Sequence, residues 1–141
     1  MRRSPIGMRS AAIPAILFAL LPSVPACSMA TRTVDVNRLG PANRVEIYEG
    51  GRPVHERPVA AGSAEEQAIT SWLRSHADGW KPGLATYAPG RRVRGDNFDL
   101  NFGKDRCVLN YRANDEGDWV QVIRPISTDD PVPDVFAPGR P

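Results

Sequence analysis

The sequence predicts an α+β fold: a single small antiparallel sheet, built from a β-hairpin and a three-strand meander, with one helix packed on one of its faces. The first observation behind this prediction is helical apolar periodicity at residues 63–80. The second is a pair of extended runs before this helix, and the third is a set of three extended runs after it. A helix laid across one face of a single sheet satisfies this order of elements.

The hairpin is predicted at residues 44–60. The run RVEIYE at 44–49 alternates apolar and polar side chains, as a half-buried strand does. A Gly-Gly pair at 50–51 suits a tight turn that needs positive φ. The returning run at 53–60 contains two prolines, so we predict that it is an edge strand or irregular.

The helix has clear signals at both ends. Ser63 and Glu66 form a capping box, in which the Ser hydroxyl accepts from an orphan amide and the Glu carboxylate reaches back. Gly79 can take the left-handed conformation that ends a helix, and Pro82 prevents continuation. One face of the helix is apolar and is expected to cover the sheet. Its residues are Ala64, Ala68, Ile69, Trp72, Leu73 and Ala77.

The segment after the helix, residues 80–90, is rich in Pro and Gly and predicts an ordered loop with Leu84 and Tyr87 turned inward. Residues 91–95 lead from this loop into the meander. The three strands of the meander are predicted, from their alternation of apolar and polar side chains, at residues 97–102, 106–112 and 119–126.

The N-terminal segment predicts export. Three arginines among residues 1–10 precede an apolar run at 11–21, and small residues follow. This pattern is typical of a secretory signal peptide, and an apolar run of 11 residues is too short for a mature membrane span. We predict that residues 1–26 are a signal peptide.

The end of this leader, Val24-Pro25-Ala26-Cys27, resembles the lipobox of bacterial lipoproteins, whose pattern Val24, Ala26 and Cys27 match. The resemblance implies that Cys27 is acylated and becomes the first mature residue. Pro25 differs from the small or hydroxyl residue that is usual at its position. Ser28, in place of Asp, implies sorting to the outer membrane. The alternative is ordinary cleavage after a small residue, without lipid.

Removal of the first 26 of 141 residues leaves 115, which is enough for one domain with a real core. We predict a tether at 27–41, an α+β domain at 42–126 and a disordered, proline-rich tail at 127–141. The mature part holds 15 basic and 16 acidic residues, because three arginines leave with the signal peptide. This balance does not indicate nucleic-acid binding.

Candidates for catalysis and metal binding are few. If Cys27 carries lipid, Cys107 is expected to be a small buried hydrophobe without a partner; if it does not, a Cys27–Cys107 disulfide is the alternative. Ser75, His76 and Asp78 could be written as a triad, but neighbours along a helix point in different directions. His76 is instead expected to interact with the last carbonyls of the helix. We predict no catalytic residue, no metal and no cofactor.

A group around the loop is the candidate partner-binding site. It consists of Trp80, Tyr87, Arg91, Arg92 and Arg94. One interpretation is that the arginines protect a sheet edge from pairing with other chains. The other is that they form a docking patch for lipid head groups or an acidic partner. For Trp80, a place in the core or in a lid is the alternative to binding.

These features predict a non-catalytic lipoprotein, a binding or structural module at the periplasmic face of the outer membrane. Its expected partners are the membrane, through the N-terminal lipid, and another envelope protein. The alternative function is that of a secreted or periplasmic inhibitor or immunity-type protein, which would block an envelope enzyme by presenting a loop.

Overall fold

The computed structural model describes residues 30–84, 86–127, 129–130 and 132–136. Within them the chain forms seven strands and one α-helix, with a short 3-10 helix near each end. The elements are, in order, the 3-10 helix Val36–Arg38, β1 Ala42–Glu49, β2 Arg52–Pro58, α1 Ala64–Ser75, β3 Lys81–Pro82, β4 Arg91–Gly95, β5 Phe98–Phe102, β6 Arg106–Arg112, β7 Trp119–Pro125 and the 3-10 helix Asp134–Phe136.

All seven strands belong to one sheet with the order β2-β1-β4-β5-β6-β7-β3, and every neighbouring pair is antiparallel. The prediction of a small sheet, made of a hairpin and a three-strand meander, was therefore wrong. The meander has four strands, because β4 precedes β5 and pairs with β1 on its other side. A further strand, β3, closes the far edge against β7.

The two missed strands lack the pattern by which strands are recognised. In β4 the sequence RRVRG has a single apolar side chain, Val93, so no apolar alternation is visible. β3 has two residues inside the segment predicted to be a loop, and it pairs with Val122 and Ile123 through its backbone. Both strands are specified by their neighbours rather than by their own residues.

The hairpin prediction is confirmed. β1 and β2 pair across Gly50 and Gly51, which both have positive φ. β2, which contains Pro53 and Pro58, lies at the sheet edge, where a missing N–H removes no bond to a second neighbour.

The start of the helix is also confirmed. The Ser63 hydroxyl accepts from the N–H of Glu66 at 3.2 Å, and the Glu66 carboxylate accepts from the N–H of Gly62. The end comes at Ser75, before the predicted stop at Gly79, which has a positive φ in the turn that follows. The carbonyl of Ala77 accepts from the N–H of Val34 and not from a residue of a continuing helix. The helix therefore ends before Gly79.

The core lies between the helix and one face of the sheet. A row of fully buried residues crosses five strands at matched register. Its members are Val45, Val93, Leu100, Leu109 and Val122. From the helix, Ile69, Trp72 and Leu73 are buried in the same cluster. The Trp72 ring meets the edge of Phe102 at 4.8 Å between centroids and stacks on His76 at 4.1 Å.

Part of the predicted tether and part of the predicted tail pack in this core. Val34 and Leu39 lie before residue 42, and Val135 and Phe136 lie after residue 126; all four are buried. Isolated apolar residues in polar or proline-rich segments give no periodic signal from which burial in the core could be predicted. The predicted signal peptide and Cys27 lie outside the described residues.

We expect Trp72→Ala to lower the free energy of unfolding by about 3–5 kcal/mol, because the ring fills the space between helix and sheet. Trp119→Ala is the matched control, since Trp119 is 51% exposed. Urea denaturation measures both variants. An unchanged midpoint for Trp72→Ala would refute the packing described above.

Candidate functional site

The face of the sheet opposite the helix carries a group of charged and hydroxyl side chains. We name it the polar cluster; its members are Glu46, Tyr48, Arg92, Arg94 and Asp99. The residues come from β1, β4 and β5, which are adjacent in the sheet. Strand alternation places them opposite the apolar row of the core.

Glu46 is the most enclosed member of the polar cluster, with 3% of its surface exposed. The Tyr48 hydroxyl donates to Glu46 Oε2 at 2.9 Å. Arg92 Nη1 lies 3.5 Å from Oε2, and Arg94 Nη1 lies 3.6 Å from Oε1. Both carboxylate oxygens therefore face a positive charge, which is the condition under which a buried carboxylate is tolerated.

Arg92 also pairs with Asp99 in a bidentate arrangement. Its Nε donates to Asp99 Oδ1 at 2.7 Å, and its Nη2 donates to Oδ2. The hydrogen bond to Asp99, with a smaller contribution from Glu46, raises the pKa of Arg92 further above its already high value. The guanidinium is a permanent cation that holds its two neighbouring carboxylates, and it has no role as an acid or base.

Amide side chains on the same face of the sheet as the polar cluster bond to the loop before β4. Asn101 Oδ1 accepts from the N–H of Gly90 at 3.0 Å. Asn110 donates to the Tyr87 hydroxyl at 2.9 Å and accepts from Gln121 at 3.0 Å. Burial raises the pKa of Tyr87, which makes it a weaker acid than a free tyrosine. Tyr87, a candidate for partner binding, is half-buried, and its hydroxyl is turned inward onto the face of the sheet opposite the core.

The inward position predicted for Leu84 was wrong, since Leu84 is fully exposed. Trp80, a candidate for partner binding, is instead 1% exposed and belongs to the core. Its Nε1 donates to the carbonyl of His76 at 2.7 Å, which satisfies the indole. Trp119 is the exposed tryptophan, and the Arg112 guanidinium lies 5.6 Å from its ring.

The three arginines of β4 do not form one patch. Arg92 and Arg94 belong to the polar cluster, whereas Arg91 lies on the other face, 6.0 Å from the ring of Phe136. β4 lies inside the sheet, between β1 and β5, so the arginines do not protect an edge. Sequence reasoning missed their acidic partners because Glu46 and Asp99 look like ordinary polar residues of alternating strands. Only the strand register brings them beside Arg92.

His76 lies at the helix C-terminus beside Ser75 and Asp130. Its Nδ1 is 2.8 Å from the carbonyl oxygen of Trp72 and 2.9 Å from Ser75 Oγ, and its Nε2 is 3.8 Å from Asp130 Oδ1. Ser75 and His76 thus touch, contrary to the expectation for helix neighbours, while Asp78 bonds Thr33 elsewhere.

This grouping does not activate the serine. The Trp72 carbonyl oxygen only accepts and lies 2.8 Å from Nδ1, which favours the tautomer with the proton on Nδ1. In that tautomer Nδ1 cannot take a proton from Ser75. The Ser75 hydroxyl donates to the same carbonyl at 2.9 Å. Both side chains cap the helix, which confirms the interaction predicted for His76.

Cys107 is fully buried in β6. Burial raises the pKa of its thiol to about 12, and its Sγ lies 3.6 Å from the carbonyl oxygen of Arg124. A thiolate is the reactive form of cysteine, so this environment suppresses reactivity. Cys107 is a free thiol, as expected for a small buried hydrophobe.

In the part of the chain that the structure describes, no helix has the length and apolar character needed to cross a bilayer. Among the same residues, no three His, Cys, Asp or Glu side chains are grouped as a metal ion would require.

Comparison with known proteins gives little to add to this geometry. No family model matches the chain, and no solved structure matches it. The virulence sensor protein BvgS of Bordetella pertussis is 31% identical over an aligned length of 127 residues, and the match covers 85% of this chain. The chain spans about a tenth of the length of BvgS. The match is too small a part of that sensor to assign its role to this chain.

We expect Glu46→Gln to destabilise the fold by about 2–4 kcal/mol, because it leaves Arg92 partly buried with reduced compensation. Glu56→Gln is the matched control. Glu56 lies directly across from Glu46 on β2, but its pair with Arg44 is about half exposed on both sides. The control should change stability by less than about 1 kcal/mol. Chemical denaturation at pH 7 measures the difference; equal losses in the two variants would contradict the role given to Glu46.

At pH 8, Cys107 should react with iodoacetamide about 10³-fold more slowly in the folded protein than in the protein unfolded by urea. In the folded protein its thiol, with a pKa of about 12, is almost entirely protonated at this pH. Mass spectrometry of the alkylated peptide follows both rates. Fast labelling of the folded protein would show that the thiol is accessible.

Proposed function

We propose that the chain is a non-catalytic lipoprotein of a bacterial envelope, acylated at Cys27 and held at the periplasmic face of the outer membrane. The observation that carries this proposal is the leader that ends in Val24-Pro25-Ala26-Cys27. A basic start, an apolar run and a small-residue exit direct export, and a cysteine at that exit offers the thiol for acylation. Several acyl chains would anchor the protein stably, since each buried methylene contributes about 0.8 kcal/mol.

The state of the polar side chains supports a binding or structural role over catalysis. The charges of the polar cluster are engaged with one another, Nδ1 of His76 is held by a carbonyl, and the thiol of Cys107 is buried. A catalytic acid, base or nucleophile needs a proton or a lone pair that is available to a substrate. The polar cluster and His76 direct their protons and lone pairs to partners within the fold, and Cys107 is shielded from solvent.

Exposed side chains of the kind found at protein interfaces favour a second partner within the envelope. Trp119 with Arg112 is such a pair, and aromatic and Arg residues are enriched in interfaces. Arg94 pairs with Glu46, but 46% of its side chain is exposed, so the outer part of its guanidinium remains accessible to a partner. The lipid would supply the location and this surface the contact with another protein.

Metabolic labelling with an alkyne-bearing fatty acid tests the acylation. We expect the full-length protein to incorporate the label and Cys27→Ala to lose it completely, because the thiol is the acceptor. Cys107→Ala is the matched control and should keep the label, since Cys107 is buried. Wild-type protein without label, or label that persists in Cys27→Ala, would refute the proposal.

A further inference from the structure

The domain is joined to the predicted anchor by a very short stretch of chain. Arg32 forms an antiparallel bridge with Trp80, with N–H to carbonyl distances of 2.6 Å and 3.2 Å. The N–H of Val34 donates to the carbonyl of Ala77 at 2.8 Å. Trp80 and Val34 are both buried in the core, so Arg32 is fixed to the folded unit.

The length of this stretch limits where the domain can lie. Five Cα–Cα steps separate Cys27 from Arg32, and they span at most about 18 Å. The sheet is wider, since six spacings of about 4.8 Å between its seven strands make about 29 Å. The attachment is at the β3 edge, which follows Trp80 directly. A lipid on Cys27 would therefore hold the β3 edge close to the membrane.

The surface at this edge has the chemistry of a membrane contact. We name it the anchor-side surface; it consists of Arg32, Lys81 and Leu84, which are all exposed. Leu84 is completely exposed, although an aliphatic side chain gains by leaving water. Arg32 is bridged to Trp80, and Lys81 and Leu84 follow Trp80 in the chain, so the two cations and the aliphatic side chain share one edge of the sheet. That combination suits anionic head groups and the acyl boundary below them.

The position of Leu84 is set by the neighbouring backbone. Gly83 donates its N–H to the carbonyl of Gln121 at 3.4 Å, and a Cβ at Gly83 would lie 2.6 Å from Ile123 Cδ1. The chain is thus pressed against β7 immediately before Leu84. A groove of about 370 Å³ adjoins this position. Pro82, Ile123 and Pro125 give it an apolar part, and Lys81, Asp105 and Arg106 give it a charged rim.

We propose that the anchor-side surface lies on the anionic head groups of the bilayer into which the lipid of Cys27 inserts, so that the β3 edge faces the membrane and the β2 edge faces away. This inference rests on the acylation proposed above. Asp78, the exposed acid beside Arg32, accepts a hydrogen bond from the hydroxyl of Thr33, and its backbone carbonyl accepts from Arg124. Asp105 and Arg106, which line the groove next to Lys81, pair with each other and cancel. Arg32 and Lys81 therefore leave this edge with one more positive charge than Asp78 balances.

The test measures the distance of each sheet edge from the bilayer. Lipidated full-chain protein, with acylation verified by mass spectrometry, is reconstituted into vesicles of phosphatidylethanolamine and phosphatidylglycerol that contain a nitroxide head-group quencher. A fluorophore is attached in separate samples to Leu84→Cys and Val54→Cys. Val54, 54% exposed on β2 at the opposite edge, is the matched control. Cys107 is buried and the sulfur of Cys27 is already bonded to lipid, so the dye reaches only the new thiol.

We expect strong loss of fluorescence at position 84 and none at position 54. In the Leu84→Cys background, Lys81→Glu should reduce this loss, whereas Arg52→Glu, a charge reversal on β2, should not. Acylated protein with equal quenching at both positions, or none at position 84, would overturn the inference and leave the lipoprotein proposal standing. Quenching at position 84 that ignores Lys81→Glu would overturn the contact with anionic head groups. Protein without acylation would overturn both proposals.

Discussion

Arg92 contacts carboxylates on both of the strands that flank its own, and the continuity of the sheet depends on that strand. β4 connects the hairpin to the meander, yet it has one apolar side chain to contribute to the core. Arg92 meets Glu46 on β1 at 3.5 Å and Asp99 on β5 at 2.7 Å. A buried ion pair adds little net stability, whereas breaking one leaves an uncompensated charge. These pairs therefore select which strands lie beside β4 more than they strengthen the sheet.

Sequence patterns predict the elements that carry their own periodicity and miss the ones that depend on pairing. The helix cap at Ser63, the edge position of β2 and the apolar face of β5 follow from local residues. β4 does not, because a strand with charges on its outer face and one valine inside has no apolar period. The polar cluster is likewise not recognisable in the sequence, because it also depends on strand pairing. Glu46 becomes a partner of Arg92 only through the register of two strands far apart in sequence.

The two ends of the described chain are parts of the core, and composition alone misplaced them. Phe136 packs edge-on against Phe102 at 5.6 Å, and Phe102 in turn packs against Trp72. Arg57 on β2 pairs with Glu65 at the start of the helix and donates to the carbonyl of Val135. The sheet edge, the helix and the C-terminal segment are thus joined by one guanidinium. Prolines make a segment irregular, but two buried side chains suffice to dock it.

The N-terminal segment joins the folded domain already at Arg32, and this changes how freely a lipid on Cys27 would let the domain rotate. A flexible tether over residues 27–41 would have an average span of about 20 Å and would let the domain turn freely above the membrane. A link that ends at Arg32, within the β3 edge, restrains the direction in which the domain faces. The β2 edge then faces away from the membrane and is a second surface open to another envelope protein, besides Trp119 and Arg112. Because Pro53 and Pro58 interrupt its free N–H groups, a partner there would have to bind side chains rather than add a strand.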